Sequence, residues 1–187
     1  MDIIVDCDCT VIDFVGGILR IAGNPDRSLA SEYDWFMTAY GDERAERIRW
    51  LLDYDSDYWQ NLPALPGAQE GVADLREQGH NIIWVTKPYP KKYGWESDRR
   101  IWLNEFMGAN LHNEPIIFSG DKYLIHADAM IDDTISMVEN WERDHPTGLG
   151  LIFGSEANRQ SGFELVDWED IMQMRFFKRD KFNPRVL

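Results

Sequence analysis

A parallel α/β sheet, with helices on both faces and one helical insertion after its first strand, is the fold this sequence predicts. Two observations carry the prediction. From residue 66 onward, short apolar runs alternate with amphipathic segments, the signature of successive strand–helix units. Between residues 15 and 65 that alternation stops, and the segment reads as helical and aromatic-rich. The resulting division is a core of residues 1–14 and 66–187, with a small helical cap at 15–65.

The elements follow in order. "DIIVD" at 2–6 is a short apolar run and reads as a buried first strand. The insertion reads as a helix at 15–22, an aromatic stretch "EYDWFM" at 32–37 and a helix at 42–53. The segment 67–79 places Val72, Leu75 and Arg76 at helical spacing and ends in Gly79, a good C-terminal stop. "NIIWVT" at 81–86 is the second strand. A helix at 96–108 follows, with Ile101, Trp102, Glu105 and Phe106 at helical spacing before Gly108. "PIIF" at 115–118 and "AMIDD" at 129–133 read as strands, and 134–144 as a helix. "GLGLIFG" at 148–154 reads as a strand, 167–177 as the last helix, and the polar tail 178–187 as irregular.

Composition narrows the function. The 187 residues are 44% hydrophobic, enough for one domain with a real core. With 19 basic against 33 acidic residues, the net charge is −14. That field opposes duplex nucleic acid and anionic membranes, but not a small phosphorylated ligand met by local lysines and a cation. The start "MDIIVDCDC" has no basic region and only a three-residue apolar run, so it predicts no signal peptide. No stretch approaches a membrane span. The two cysteines, Cys7 and Cys9, are too close together to bridge without strain, which predicts a reduced, cytoplasmic protein.

Two predicted strands end in paired acids: Asp6 with Asp8, and Asp132 with Asp133. Carboxyl ends of parallel strands share one sheet edge, where ligands bind. Crowded carboxylates there need a cation or a proton, and oxygen-only ligands suit a hard ion such as Mg²⁺. In a D-x-D pair, one aspartate can attack phosphorus while the other gives a proton to the leaving oxygen. The donor, Asp8, would then need a raised pKa, and the neighbouring acids act in that direction. Thr86 ends the second strand and Lys122 follows the third, so both could hold phosphate oxygens. Taken singly, each has an ordinary reading. Thr86 could simply end a strand, Lys122 could be a solvated loop lysine paired with Asp121, and Asp132 or Asp133 could cap the helix at 134. Together, in this order at strand ends, they point to phosphoryl chemistry.

That joint pattern resembles the haloacid-dehalogenase-like phosphohydrolases. "DCDCTVIDFVGGILR" is similar to the opening of the 5'(3')-deoxyribonucleotidases, and "NLPALPGA" to their link back to the core. "VTKP" resembles their T-S-P loop, and "SGDKYLIHADAMIDDT" their D-K…I-D-D segment. "LIFGSEANR" and "DWEDI" also fall where that family has similar stretches, so the resemblance spans nearly the whole chain. The sequence departs from the family at Cys9, where glycine is common, at Thr10, and at Lys87, where serine stands.

The resemblance implies a three-layer Rossmann-like core and roles for named residues. Asp6 would be the nucleophile and Asp8 the general acid, later the base. Mg²⁺ would bind Asp6, the Asp8 backbone carbonyl and Asp133, with Asp132 as support. Thr86 and Lys122 would hold phosphate, and Phe14 and Trp35 would contact the nucleobase. The substrate implied is a nucleoside monophosphate; a homodimer is compatible with the sequence. Three other readings stay open: a phosphatase for another small phosphomonoester, a non-catalytic binding protein on this scaffold, and a C-x-C metal site. The last lacks further Cys or His ligands at useful spacing.

Overall fold

A computed structural model describes residues 1–24, 26–30, 35–110 and 112–174. Five strands lie among these residues: β1 (Asp2–Val5), β2 (Asn81–Thr86), β3 (Ile116–Phe118), β4 (Ala129–Asp132) and β5 (Leu149–Ile152). All neighbours pair in parallel, in the order β3-β2-β1-β4-β5. The chain therefore builds outward from β1 to β3, then crosses back to lay β4 against the other side of β1.

Strand side chains alternate between two apolar layers, which is why the runs are apolar throughout. Ile3, Val5, Ile82, Trp84, Ala129 and Ile131 face one layer. Helices α5 (Ala68–Glu77), α6 (Trp95–Met107) and α8 (Trp168–Gln173) close that layer with Val72, Leu75, Trp102 and Trp168. Ile4, Val85 and Met130 face the other, closed by Val138 and Trp141 of α7 (Ile135–Asp144). The result is the expected three-layer α/β core. Gly71 lets α5 and α8 meet closely, since a Cβ there would stand 2.3 Å from the Trp168 ring.

Between β1 and α5 lie α1 (Phe14–Ala22), a 3-10 turn (Arg27–Leu29), α2 (Trp35–Ala39), α3 (Asp42–Tyr54) and α4 (Ser56–Gln60). The exit of this segment is strapped to its entrance. The Asp13 N–H donates to the Pro63 carbonyl at 2.8 Å, and the Leu65 N–H to that of Val11 at 2.8 Å.

Two expectations change. The last helix, read as 167–177, stops at Gln173 because Met174 turns to extended backbone at ψ 123°; residues 175–177 and the tail 178–187 lie outside the described residues. The aromatic stretch at 32–37 contributes Trp35 to Met37 to a helix, while Tyr33 lies outside the described residues. Among the described residues, no helix is long and apolar enough to cross a membrane.

Candidate active site

The sheet order brings the singled-out residues to one edge. Thr86 closes β2, Asp6 and Asp8 follow β1, Asp132 closes β4 with Asp133 next, and Lys122 lies just beyond β3. β1 sits where the chain reverses its direction of travel across the sheet, the position at which such sheets open a crevice for ligands.

Lys122 is the hub. It opens a short 3-10 turn (Lys122–Leu124) and is buried. Its Nζ donates to Asp6 Oδ1 at 2.5 Å and to Asp132 Oδ2 at 2.7 Å. That rules out the solvated-loop reading for this lysine. Asp132 is fully engaged, because its Oδ1 accepts from the Thr134 N–H at 2.8 Å. Neither acid caps α7, whose N-cap is Thr134. Asp133 is more open. Its carbonyl accepts from Asn158 Nδ2, which also donates to Phe153, so that one amide clamps the loop after β5 onto the end of β4. The Ser155 hydroxyl on that loop is buried without a well-formed hydrogen bond.

Oxygens of Asp6, Asp132 and Asp133 lie within 4.8 Å of one another. The electrostatics follow from three carboxylates meeting one ammonium. Burial raises the Asp6 pKa well above its ordinary value; Lys122 opposes this, while Asp132, Asp133 and Asp8 add to it. Burial, then Asp132, raises Asp133 to about 7. Burial alone would lower Lys122, but Asp6 and Asp132 outweigh it and keep the ammonium charged. The cluster thus carries an excess of negative charge in buried surroundings. Its all-oxygen donors fit a hard divalent cation, which would return Asp6 and Asp133 to their ionised forms.

Thr86 is 1% exposed and its hydroxyl has no hydrogen-bond partner among the described residues. A buried hydroxyl without a partner is costly, and a ligand oxygen at the strand end would satisfy it. Phe14 is half-buried and stacks on Trp59, with centroids 5.8 Å apart and planes at 23°. Trp35 is buried, edge-on to Phe36 and Tyr40, so it serves the inserted segment's own core. Lys92 is buried between Asp98 at 3.0 Å and the Ser56 hydroxyl at 3.0 Å.

The loop after β1 explains both cysteines. Cys7 continues the face of Ile3 and Val5 into the core, and burial pushes its thiol up to about 12. The Cys7 carbonyl accepts from the N–H groups of Val11 and Ile12, closing a tight turn. Cys9 sits in that turn at φ +60°, the one non-glycine residue at positive φ among those described. The left-handed region strains most side chains and suits glycine, the residue that the resemblance sets at this position. Cys9→Gly should hold or raise stability by up to about 1 kcal/mol, while Cys9→Val should lose about 1–3 kcal/mol. Thermal midpoints check both; equal midpoints for the two variants would contradict this account of the turn.

One contact was not foreseen from sequence. Arg99 of α6 donates through Nη2 to both Asp8 oxygens, at 2.7 and 2.9 Å. The sequence reading set only acids beside Asp8. The available signal was a charged residue on a buried stripe, since Trp95, Arg99 and Trp102 are spaced four and three apart on the face of α6 that packs inward. Arg27 was also missed. It binds Asp13 at 2.7 Å and pairs with Glu156, linking the inserted segment to the loop after β5.

Comparison with known proteins adds sequence and fold likeness. A family model described as "5' nucleotidase, deoxy (Pyrimidine), cytosolic type C protein" matches residues 1–181. A 5'(3')-deoxyribonucleotidase of Bacillus subtilis is 25% identical over 175 residues, spanning 90% of this chain and 95% of that protein. The mitochondrial 5'(3')-deoxyribonucleotidase of Mus musculus is 28% identical over 169 residues, spanning 83% and 74%. A HAD family hydrolase of Deinococcus radiodurans, solved with bound phosphate and sodium, superposes with a TM-score of 0.57 at 13% identity. That likeness spans 91% of this chain and 92% of the other, and at this identity it speaks for the fold alone.

Proposed function

The chain belongs to the 5'(3')-deoxyribonucleotidase family of haloacid-dehalogenase-like phosphohydrolases, and on that premise we propose that it removes phosphate from deoxyribonucleoside monophosphates through an aspartyl-phosphate at Asp6. The observation that carries the reading is the Asp6–Lys122–Asp132 contact beside Asp133 and the unpartnered Thr86 hydroxyl, all at one sheet edge.

The chemistry follows from those positions. Lys122 occupies Asp6 Oδ1, leaving the second Asp6 oxygen to attack phosphorus. The ammonium has three protons and uses two on carboxylates, so one remains for a phosphate oxygen. Thr86 supplies a further donor. As the new Asp6–phosphorus bond forms, the bond to the nucleoside oxygen breaks, and Asp8 gives that oxygen its proton. Asp8, now a carboxylate, takes a proton from water attacking the same phosphorus, and inorganic phosphate leaves Asp6. Mg²⁺, held by Asp6, Asp133 and the Asp8 carbonyl, would supply the positive charge that lets one anion approach another.

In this proposal residues 15–65 act as a cap over the site. Its support is a set of polar ties across the boundary: Lys92 to Ser56, Tyr89 to Asp53 at 2.7 Å, and Gln60 to Asp98 at 2.7 Å. Phe14 would carry the base contact; Trp35 is buried against Phe36 and Tyr40, which leaves it little surface for one. The net charge of −14 favours a small nucleotide over a duplex. The two free thiols fit a reducing, cytoplasmic setting.

The test is phosphate release from a panel of deoxyribo- and ribonucleoside monophosphates and sugar phosphates, with and without Mg²⁺. Preference for nucleotides supports the reading; equal rates on sugar phosphates would count against it.

A binding measurement checks the ion site apart from turnover. At a cation concentration about 100 times Kd, binding to the folded state alone adds about 2.7 kcal/mol. For a chain of this size the thermal midpoint should rise by about 5–10 °C. Asp133→Asn should remove most of that rise. The sign at low cation agrees: a folded-state pKa of about 7, above the unfolded value, means this carboxyl costs stability as pH rises toward 7. An equal rise in Asp133→Asn would place the ion elsewhere.

A further inference from the structure

We propose that Arg99 is the positioning residue for Asp8, holding its carboxylate toward the leaving oxygen and receiving the charge that develops there as the proton departs. The inference rests on the reading of Asp8 as general acid and extends it to a residue on α6 outside the strand-end pattern.

Three observations carry it. First, the geometry is one-sided. Arg99 is buried, with its side chain 1% exposed, whereas the Asp8 side chain is 32% exposed. The carboxylate therefore rests on a buried guanidinium and presents its open side to the crevice. Both oxygens accept from the same Nη2, which centres the carboxylate on that nitrogen and holds its distance.

Second, the guanidinium is poorly satisfied in every other respect. Its Nε and Nη1 are buried without hydrogen-bond partners among the described residues. Its carbon lies 4.7 Å from the Trp95 ring centroid and 5.8 Å from that of Trp59, and the ring faces replace hydrogen bonds with cation–π attraction. A residue selected only for packing here would be apolar, because orphaned donors on a buried charge cost stability. The arrangement makes sense if the charge is needed at Asp8.

Third, the site of the charge matches the chemistry. When the Asp8 O–H bond breaks and the proton moves to the leaving oxygen, the electron pair stays on the Asp8 carboxylate. A fixed donor aimed at that carboxylate stabilises the developing charge without having to reorganise. Trp59, which flanks Arg99, also stacks on Phe14. The seating of α4 and the residue proposed to meet the base therefore share a ring with the guanidinium that steadies the acid.

The leaving group makes the proposal testable. A nucleoside alkoxide needs the proton, whereas the phenolate of p-nitrophenyl phosphate leaves without one. In kcat/KM, which covers the reaction through phosphoryl transfer, Arg99→Met should lose about 10–100-fold on a deoxyribonucleoside monophosphate, a part of the roughly 10²–10⁴-fold that a general acid supplies, because Asp8 itself remains. On p-nitrophenyl phosphate it should lose less than about threefold. Arg99→Lys, which keeps the charge but gives up the planar guanidinium seated on the Trp59 and Trp95 rings, should show a smaller loss with the same selectivity, and it carries the test if the Met variant does not fold. Equal losses on both substrates, or no loss on either, would overturn the proposal. Asp8→Asn separates the two levels. If it shows the selective loss and the Arg99 variants do not, Arg99 has no positioning role. If Asp8→Asn itself lacks selectivity, the assignment of Asp8 as general acid falls, and the role of Arg99 with it.

Discussion

Asp6→Asn is expected to abolish phosphate release, by roughly 10⁵-fold, and to leave the fold standing. The asparagine amide has the same shape but cannot form the acyl-phosphate bond at a useful rate. Folding should be spared for a specific reason. Asp6 is buried among three other carboxyl groups, and its pKa is raised, so its ionised form costs stability when no cation is bound. Removing that charge relieves the cluster, while Lys122 keeps Asp132 as its partner at 2.7 Å. Without divalent cation, the midpoint of Asp6→Asn should therefore match or exceed that of the parent, within about 1 kcal/mol. Undiminished turnover in this variant would remove Asp6 from the mechanism.

Lys122→Met should have the largest effect on stability. Its ammonium is the one cation joining Asp6 and Asp132 among the described residues, and all three side chains are buried. Removing one partner of a buried pair leaves the other uncompensated, which costs about 3–5 kcal/mol. Urea unfolding at pH 7 measures this, and the pH dependence carries the sign. With Lys122 gone, Asp6 and Asp132 repel unscreened. Lowering the pH protonates Asp6 in the folded state first, because its folded pKa lies above its unfolded one, so the deficit should shrink as pH falls. In the parent, the Lys122 pKa is raised above its unfolded value, so its contribution is fully present below about pH 10.4 and is lost only as pH rises beyond it. A deficit below 1 kcal/mol that does not vary with pH would contradict the pairing.

What could be read from sequence divides along physical lines. The five strands were legible because a buried parallel strand must be apolar on both faces, and each such run is bounded by turns or acids. Their carboxyl ends converge by topology alone, so Asp6, Thr86, Lys122 and Asp133 could be grouped before any coordinates. The difference in surroundings between Asp132 and Asp133 was less accessible in residue terms. It depends on the Thr134 N–H, which engages Asp132 and leaves Asp133 open. Arg99 was out of reach for a related reason: helical spacing tells which face of α6 is buried, but not that Asp8 stands opposite it. Trp35 was chosen for its chemistry, and its burial against Phe36 and Tyr40 is a tertiary fact. Cys9 lies between these cases. Its place in a family glycine position hinted at an unusual backbone, and φ +60° is that backbone.

The most direct measurement is transfer of labelled phosphate from a deoxyribonucleoside monophosphate to the protein. The parent protein would be mixed with substrate and Mg²⁺, quenched in acid during the first turnovers and digested. The account predicts a hydroxylamine-labile label on the peptide that contains Asp6, and none when Asp6 is replaced by Asn. Label that persists without Asp6, or nucleotide turnover in the parent with no labelled protein at any time point, would contradict it.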